Sequence, residues 1–183
     1  PRMQSFVDKG EAAGIVTLIA SKDTILHLAA VGKSDIAGSR QMKTDDIFWI
    51  ASMSKPITAV SVGMLVDEGK LAFDDPVSKY LPEFAGKPIT LRQVLTHTSG
   101  LPEVTTRDPH LTLEQTSKRI AQEALIFQPG ARWSYSTAGL DVMGRGVEVV
   151  SRMPFDRFLQ TRVFDPLGMK DTFFFIPPDK RQR

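Results

Sequence analysis

The interpretation of this chain rests on the segment Phe48-Trp49-Ile50-Ala51-Ser52-Met53-Ser54-Lys55-Pro56-Ile57-Thr58. Its first residues are mostly apolar, and Pro56 falls where the first turn of a helix tolerates a missing N–H group. Gly69 is a typical C-terminal stop. The spacing between these points predicts a buried helix from Ser52 onward. Its inward face is expected to carry Ile57, Val60, Ser61, Met64 and Leu65.

The same segment contains a Ser-x-x-Lys pattern, Ser52-Met53-Ser54-Lys55. Residues three positions apart share one helix face, so the Lys55 amine can reach the Ser52 hydroxyl. A lysine in that place can take the proton of a serine nucleophile. Random placement of 13 Ser and 11 Lys in 183 residues already gives about 0.8 such patterns, so the pattern needs support from elsewhere in the chain.

Residues 1–50 are predicted to form an N-terminal helix and a β-hairpin. Residues 15–20 and 24–30 are rich in β-formers, and Ser21-Lys22-Asp23 between them has the length of a hairpin turn. Two strands alone are marginally stable, so more sheet or helix is needed to cover them. We therefore expect an incomplete antiparallel sheet in this part of the chain.

Residues 51–183 are predicted to be mainly helical. Thr90 is a candidate N-cap, and Thr112 with Gln115 three residues later has the pattern of a capping box. Apolar residues recur at helical spacing between 140 and 150, and Pro154 opens a further helix. The predicted fold class is α/β in the broad sense (α+β), an antiparallel sheet with a helical subdomain.

Composition excludes several classes of protein. The 183 residues are 42% hydrophobic, which suits one folded domain, and the net charge of +2 gives no strong field for nucleic acid or membranes. No apolar run approaches the length of a membrane span. There is no Cys, and the three His have no metal-ligand spacing, so no metal or other cofactor is expected. Because the sequence starts without Met, we expect the chain to have been trimmed, and a secretion signal could be among the removed residues. The compartment therefore stays open between the bacterial cytoplasm and the periplasm or the exterior of the cell.

Three further segments supply the missing context. They are Leu91-Arg92-Gln93-Val94-Leu95-Thr96-His97-Thr98-Ser99-Gly100-Leu101-Pro102, Pro129-Gly130-Ala131-Arg132-Trp133-Ser134-Tyr135-Ser136-Thr137 and Pro166-Leu167-Gly168-Met169-Lys170-Asp171-Thr172. In order and spacing, the four segments resemble the serine β-lactamase-like family, which includes class C β-lactamases, penicillin-binding D,D-peptidases and family VIII carboxylesterases. The resemblance runs over nearly the whole chain, and it implies a β-lactamase/transpeptidase-like fold.

The resemblance also implies roles for individual residues. Ser52 matches the nucleophile and Lys55 the general base, while Tyr135 would share the base role and protonate the leaving group. The Ser52 backbone N–H would be one donor to the oxyanion. Thr137 and Trp133 are the expected substrate-binding residues, although packing is the commoner role for an aromatic residue such as Trp133.

Two departures from the family pattern qualify these roles. Thr137 stands where β-lactamases commonly have Asn, and it lacks the paired donor and acceptor of an amide. The third family motif, Lys-Thr-Gly or a His-x-Gly variant, has no counterpart in the sequence. The chain is therefore expected to be a truncated family member, residues 1–183 being a partial domain. A second copy or a complementing C-terminal fragment is expected to cover its hairpin.

The expected activity is hydrolysis of a small ester through an acyl-enzyme. Tyr135-Ser136 followed by Asp141-Val142-Met143-Gly144 is closer to family VIII carboxylesterases than to dedicated lactamases. A β-lactamase or D,D-peptidase acting on a lactam or peptide is the alternative. A hypothesis of another class is an inactive fragment or binding module. His97 and Ser99 are expected to fix a turn beneath the site.

Overall fold

The computed structural model describes residues 2–103, 108 and 110–183. These residues form two compact units. The first contains the chain up to Trp49 together with Phe175–Arg183, and the second contains Ile50–Phe174. Every residue predicted to belong to the site lies in the second unit.

The first unit is a small antiparallel sheet with one helix. Helix α1 (Arg2–Asp8) precedes strands β1 (Gly14–Ala20), β2 (Ile25–Asp35) and β3 (Arg40–Gln41), which lie side by side in that order. The predicted hairpin is confirmed, since Ile15 pairs with Val31 and Leu18 with Leu28. Strand β3 was not predicted, because two residues are too short to carry a periodic signal. A 3₁₀ turn covers Pro178–Lys180.

The turn end of this hairpin carries a cluster of exposed apolar side chains. β-Strand side chains point alternately to the two faces, so neighbouring members of the cluster face opposite ways. Each of them leaves between 44% and 66% of its surface exposed. We call this set the hairpin cluster, and its members are Leu18, Ile19, Ile25, Leu26 and Leu28.

The second unit is mainly helical, while Phe175–Arg183, which were predicted to belong to the helical part, lie in the first unit. Its α-helices are α2 (Ser54–Asp67), α3 (Leu91–Leu95), α4 (Leu113–Gln122), α5 (Thr137–Ser151) and α6 (Phe155–Leu159). Short 3₁₀ turns cover Ala51–Met53, Val77–Lys79 and Pro82–Phe84, and a π-helical turn covers Gln160–Phe164. Both predicted N-caps are confirmed: Thr90 and Thr112 each accept a hydrogen bond from the backbone N–H three residues on, in complete capping boxes.

Helix α5 is the centre of this unit, because it packs against α2, α3, α4 and α6. One difference from the sequence prediction concerns the face that α2 buries. Val60 was expected inside, but 54% of it is exposed. Apolar spacing alone did not distinguish this face from the adjacent one, where a Thr and a Ser are buried with two apolar residues. The buried residues of α2 are Thr58, Ser61, Val62 and Leu65.

Gly146 lies on the buried side of α5, beside a small apolar cavity lined by Val62, Leu71 and Met143 among others. A Cβ atom at this position would meet no heavy atom within 4 Å. We therefore expect Gly146→Ala to raise the free energy of unfolding by about 1 kcal/mol, since alanine favours the helix by that amount. Urea denaturation of the two proteins measures the difference.

Gly144→Ala is the matched control on the same helix. Its Cβ would lie 3.3 Å from Leu113 Cδ1, so crowding should cancel part or all of the propensity gain. A Gly146→Ala protein less stable than the Gly144→Ala protein would show that the interpretation of this cavity is wrong.

Candidate active site

Ser52 lies in the 3₁₀ turn that precedes α2, and its side chain is exposed. The preceding residue, Ala51, has a φ of 45°, in the left-handed region that residues with a Cβ rarely adopt. Such backbone strain is common where a side chain must be presented for chemistry. The first N–H groups of a helical segment have no partner within it, so the position of Ser52 suits a backbone oxyanion donor.

Three predicted residues meet at the Ser52 hydroxyl. Lys55 Nζ donates a hydrogen bond to Ser52 Oγ at 3.0 Å, and the Tyr135 hydroxyl donates to the same oxygen at 2.8 Å. Lys55 Nζ also lies 4.8 Å from the centre of the Tyr135 ring. One oxygen therefore contacts both an amine and a phenol, and either group can accept the Ser52 proton when it is itself deprotonated.

The charge of Lys55 changes the acidity of Tyr135. Hydrogen bonding with Lys55, and after it with Ser52, lowers the pKa of the Tyr135 phenol below its usual value of 10.0. Burial and the negative charge of Glu103 act in the opposite direction but are smaller. The phenolate is thus easier to form here than in water, and it can accept the Ser52 proton.

His97 forms a second layer behind Tyr135. The two ring centres are 4.7 Å apart with an angle of 32° between the planes. Nδ1 of His97 accepts the backbone N–H of Ser136 at 3.2 Å. The Trp133 ring lies nearly perpendicular to the same imidazole, at 79°, with ring centres 6.0 Å apart. The sequence placed His97 in a turn beneath the site but did not anticipate its stacking on the phenol.

The loop that carries Tyr135 is fastened along its length to the turn after α3. The N–H groups of Ser134, Gly130 and Ile126 donate to the carbonyl groups of His97, Thr98 and Gly100 at 2.8, 2.8 and 2.9 Å. Gly100 has a φ of 78°, and a Cβ there would overlap the carbonyl oxygen of Phe127, so only glycine fits this crossing. These contacts fix the position of the Tyr135 backbone.

The two predicted substrate-binding residues lie on either side of Tyr135. Trp133 is 64% exposed, and Thr137 is the half-buried first residue of α5. Ser136 caps that helix by accepting the Gly139 N–H at 3.2 Å. Neither Trp133 nor Thr137 is brought to the Ser52 hydroxyl by a contact, so a role in substrate binding stays a prediction for both.

Glu103 is a residue of this site that the sequence did not reveal. Its carboxylate accepts the backbone N–H of Thr137, 34 positions along the chain, and so holds the first turn of α5. A negative charge at a helix N-terminus is favourable. No local pattern marks Glu103, because the helix that it contacts begins far away in sequence.

The described parts of the chain contain no cluster of three or more His, Asp or Glu side chains suited to a metal ion. Within the same residues, no helix combines the length and the apolar character that crossing a bilayer requires.

Comparisons with known proteins extend the resemblance. A family model described as Beta-lactamase matches residues 2–183. Esterase EstB of Burkholderia gladioli is 36% identical, over 92% of this chain and 48% of its own length. Penicillin-binding protein 4* of Bacillus subtilis is 32% identical, over 85% of this chain and 36% of its own length. The solved structure of EstCE1, described as a hydrolase with promiscuous acyltransferase activity, matches with a TM-score of 0.83 and 30% identity, over 91% of this chain and 49% of its own.

The chain thus spans about half the length of the curated relatives that it matches, or less. The matched part of each relative overlaps the segment that contains Ser52, Lys55 and Tyr135, because 85% or more of this chain is covered in every one of these alignments.

The electrostatics of the site can be tested by titrating the two tyrosines of the chain, Tyr80 and Tyr135. Burial, followed by a hydrogen bond to Asp75, raises the pKa of Tyr80 above 10.0. The pKa of Tyr135 is lowered. Absorbance at the phenolate band should therefore rise in two separate steps, one below and one above 10.0.

Variants assign the steps. Tyr135→Phe should remove the lower step, and Lys55→Gln should move it upward because the cation is lost. Lys118→Gln, which removes a lysine paired with Glu114 on α4, is the control and should change neither step. A lower step that stays in place in Lys55→Gln would contradict the proposed coupling.

Proposed function

Because the chain belongs to the beta-lactamase family and has its β-lactamase/transpeptidase-like fold, we propose that it carries the nucleophile and the proton-transfer groups of a serine hydrolase. The observation that supports this most directly is the pair of hydrogen bonds from Lys55 and Tyr135 to Ser52 Oγ, at 3.0 and 2.8 Å. The proposed reaction passes through an acyl-enzyme on Ser52.

In the proposed first step, Ser52 Oγ attacks the carbonyl carbon of the substrate while its proton passes to the Tyr135 phenolate. The electron pair of the C=O bond moves to the carbonyl oxygen, where the Ser52 backbone N–H donates to it. A charged Lys55 keeps the phenolate accessible. In the alternative protonation state, with a neutral amine on Lys55 and a neutral Tyr135 phenol, Lys55 itself takes the Ser52 proton, which is the base role that the family resemblance implies for it.

The tetrahedral intermediate then collapses: the C=O bond re-forms, the bond between the acyl carbon and the leaving oxygen breaks, and Tyr135 gives the proton to that oxygen. In the second step, water attacks the acyl carbon as Tyr135 takes its proton, and the acid is released when the bond to Ser52 Oγ breaks and the proton returns to that oxygen.

We propose an ester as the substrate class. Two of the proteins most similar to this chain are named as an esterase and as a hydrolase with acyltransferase activity. Thr137 offers a hydroxyl in place of the amide that β-lactamases commonly present, which removes one polar partner for a lactam. Trp133, exposed beside Tyr135 at 6.3 Å between ring centres, is proposed to contact the acyl group. The similarity to penicillin-binding protein 4* keeps a lactam or D,D-peptide as the second candidate.

We further propose that the hairpin cluster is covered by another polypeptide, either a second copy of this chain or a separate complementing C-terminal fragment. Strand β1 lies at the sheet edge and is paired on one side by β2 within the described residues, so its other edge can accept a strand. The exposed apolar side chains of Leu18, Ile19 and Leu26 add a hydrophobic gain to that pairing.

The acylation proposal is tested with a fluorophosphonate, which forms a covalent adduct with an activated serine. We expect one adduct, located on Ser52 by mass spectrometry, and none in Ser52→Ala. Lys55→Gln and Tyr135→Phe should slow the adduct by about 10²-fold, as expected for a lost general acid or base. Ser54→Ala is the matched control, because Ser54 is an exposed serine of the same motif. The Ser54→Ala protein should form the adduct at the wild-type rate.

The same proteins are then given a short-chain nitrophenyl ester and a chromogenic cephalosporin. A higher kcat/KM for the ester than for the cephalosporin in the wild-type protein supports the esterase assignment. Thr137→Asn should reduce the ratio of these two kcat/KM values. Faster turnover of the cephalosporin would replace the ester by the lactam as the substrate class. An adduct that persists in Ser52→Ala would refute the nucleophile itself.

Sedimentation tests the proposed covering of the hairpin cluster. The isolated chain of 20.3 kDa should sediment as a larger species, and Leu26→Lys should shift it toward the monomer because a charge then sits in the contact. Lys22→Glu, in the adjacent turn, is the control for a change of charge outside the cluster. A monomer of wild-type sequence that unfolds cooperatively would show that the chain needs no such partner.

A further inference from the structure

We propose that His97 is a positioning residue, whose neutral imidazole fixes Tyr135 for proton transfer and releases it when protonated. The inference rests on the proposed function, because it assumes that Tyr135 takes the Ser52 proton. Proton transfer at this site would then depend on His97, although His97 contacts neither the nucleophile nor the carbonyl carbon in the proposed reaction.

The backbone at His97 is the first observation. His97 follows Thr96, the C-cap of α3, and has a φ of 60°. Its N–H donates to the Val94 carbonyl at 3.2 Å, and the next N–H, of Thr98, donates to the Gln93 carbonyl at 2.8 Å. This is a Schellman motif, in which the left-handed position is usually glycine. A histidine here is strained, so contacts of its side chain have to offset that strain.

Two contacts of the His97 side chain and one of its backbone hold Tyr135 and the residues on either side of it. The imidazole stacks on the phenol ring with 4.7 Å between ring centres. Its Nδ1 accepts the N–H of Ser136, the residue after Tyr135, at 3.2 Å. The His97 carbonyl accepts the N–H of Ser134, the residue before Tyr135, at 2.8 Å. One residue therefore holds the ring of Tyr135 and the backbone on both sides of it.

The hydrogen bond to Ser136 requires an unprotonated Nδ1, since a protonated imidazole can only donate. The ionisable groups that face His97 are Lys55 on α2, Glu103 in the chain that follows α3, and Tyr135 in the loop before α5. Burial, and after it the charge of Lys55, lower the pKa of His97 below 6.5, while Glu103 acts the other way. The imidazole is thus neutral at pH 7 and acquires its proton only below pH 6.5.

Protonation has two consequences at the site. It breaks the acceptor contact to Ser136, and it places a second cation near Lys55. Because the pKa is lower in the folded than in the unfolded chain, the unfolded chain binds the proton first as the pH falls. The free energy of unfolding should therefore decrease as the pH drops through about 6.5, and the geometry around Tyr135 should loosen below the folded pKa.

The test follows the rate of the fluorophosphonate adduct on Ser52 from about pH 5 to about pH 8, a range in which histidine titrates. The measurement uses the full-length protein to which this chain belongs. The wild-type rate should fall on the acid side with a midpoint below 6.5. His97→Asn should lose this acid limb, because Asn accepts the left-handed backbone and offers Oδ1 as an acceptor that does not titrate.

His97→Gly is the second variant, and it removes both ring and acceptor while relieving the backbone. Its adduct rate should fall by about tenfold or more at pH 7, since small misplacements of reacting groups carry large costs in rate. Thermal unfolding of both variants separates this loss from loss of folding. An unchanged acid limb in His97→Asn, or a wild-type rate in folded His97→Gly, would overturn the proposal.

NMR of the imidazole nitrogens supplies a readout that does not depend on activity. An unprotonated Nδ1 at pH 7 and a pKa below 6.5 for His97 are expected. A protonated Nδ1 at neutral pH overturns the positioning role even if Ser52 forms no adduct. Absence of the adduct in the wild-type protein would count against the proposed hydrolase, whereas normal adduct formation in the glycine variant would count against His97 alone.

Discussion

The hydrogen bond between the Tyr135 hydroxyl and Ser52 Oγ, 2.8 Å long, joins residues that are 83 positions apart. It requires two independent pieces of backbone to be placed within a few tenths of an ångström. Ser52 is placed by the turn that starts α2, and Tyr135 is placed by a loop pinned to the turn after α3. Both supports are anchored by helices that pack on α5, so the buried core of this unit determines the geometry of an exposed site.

The two tyrosines show how strongly local partners decide acidity. Tyr80 donates to the Asp75 carboxylate and is partly buried, and its pKa is raised. Tyr135 lies beside the Lys55 ammonium, and its pKa is lowered. The same side chain is thus held as a structural donor in one place and prepared as a proton acceptor in the other. Only the second environment has a hydroxyl nucleophile at hydrogen-bonding distance.

Local signals in the sequence predicted the local parts of this structure. The hairpin, the capping boxes at Thr90 and Thr112, and the reach of Lys55 to Ser52 all depend on residues close together in the chain. Tyr135 was found only through the family resemblance, because no rule of spacing links it to Ser52. Glu103 and the stacking of His97 escaped prediction for the same reason, as both act across long separations. The outward position of Val60 was not predicted, because the spacing of apolar residues does not show which face of α2 packs against another helix.

The left-handed backbone of Ala51 has a consequence for how the segment around the nucleophile can vary. A β-branched residue at this position would clash with its own backbone, whereas Gly, Asn or Asp would be accepted. If the residue before Ser52 is randomised, only a few residue types should therefore give a functional protein, even though the side chain at this position is exposed. The backbone conformation at Ala51, and not the exposure of its side chain, determines which substitutions this position accepts.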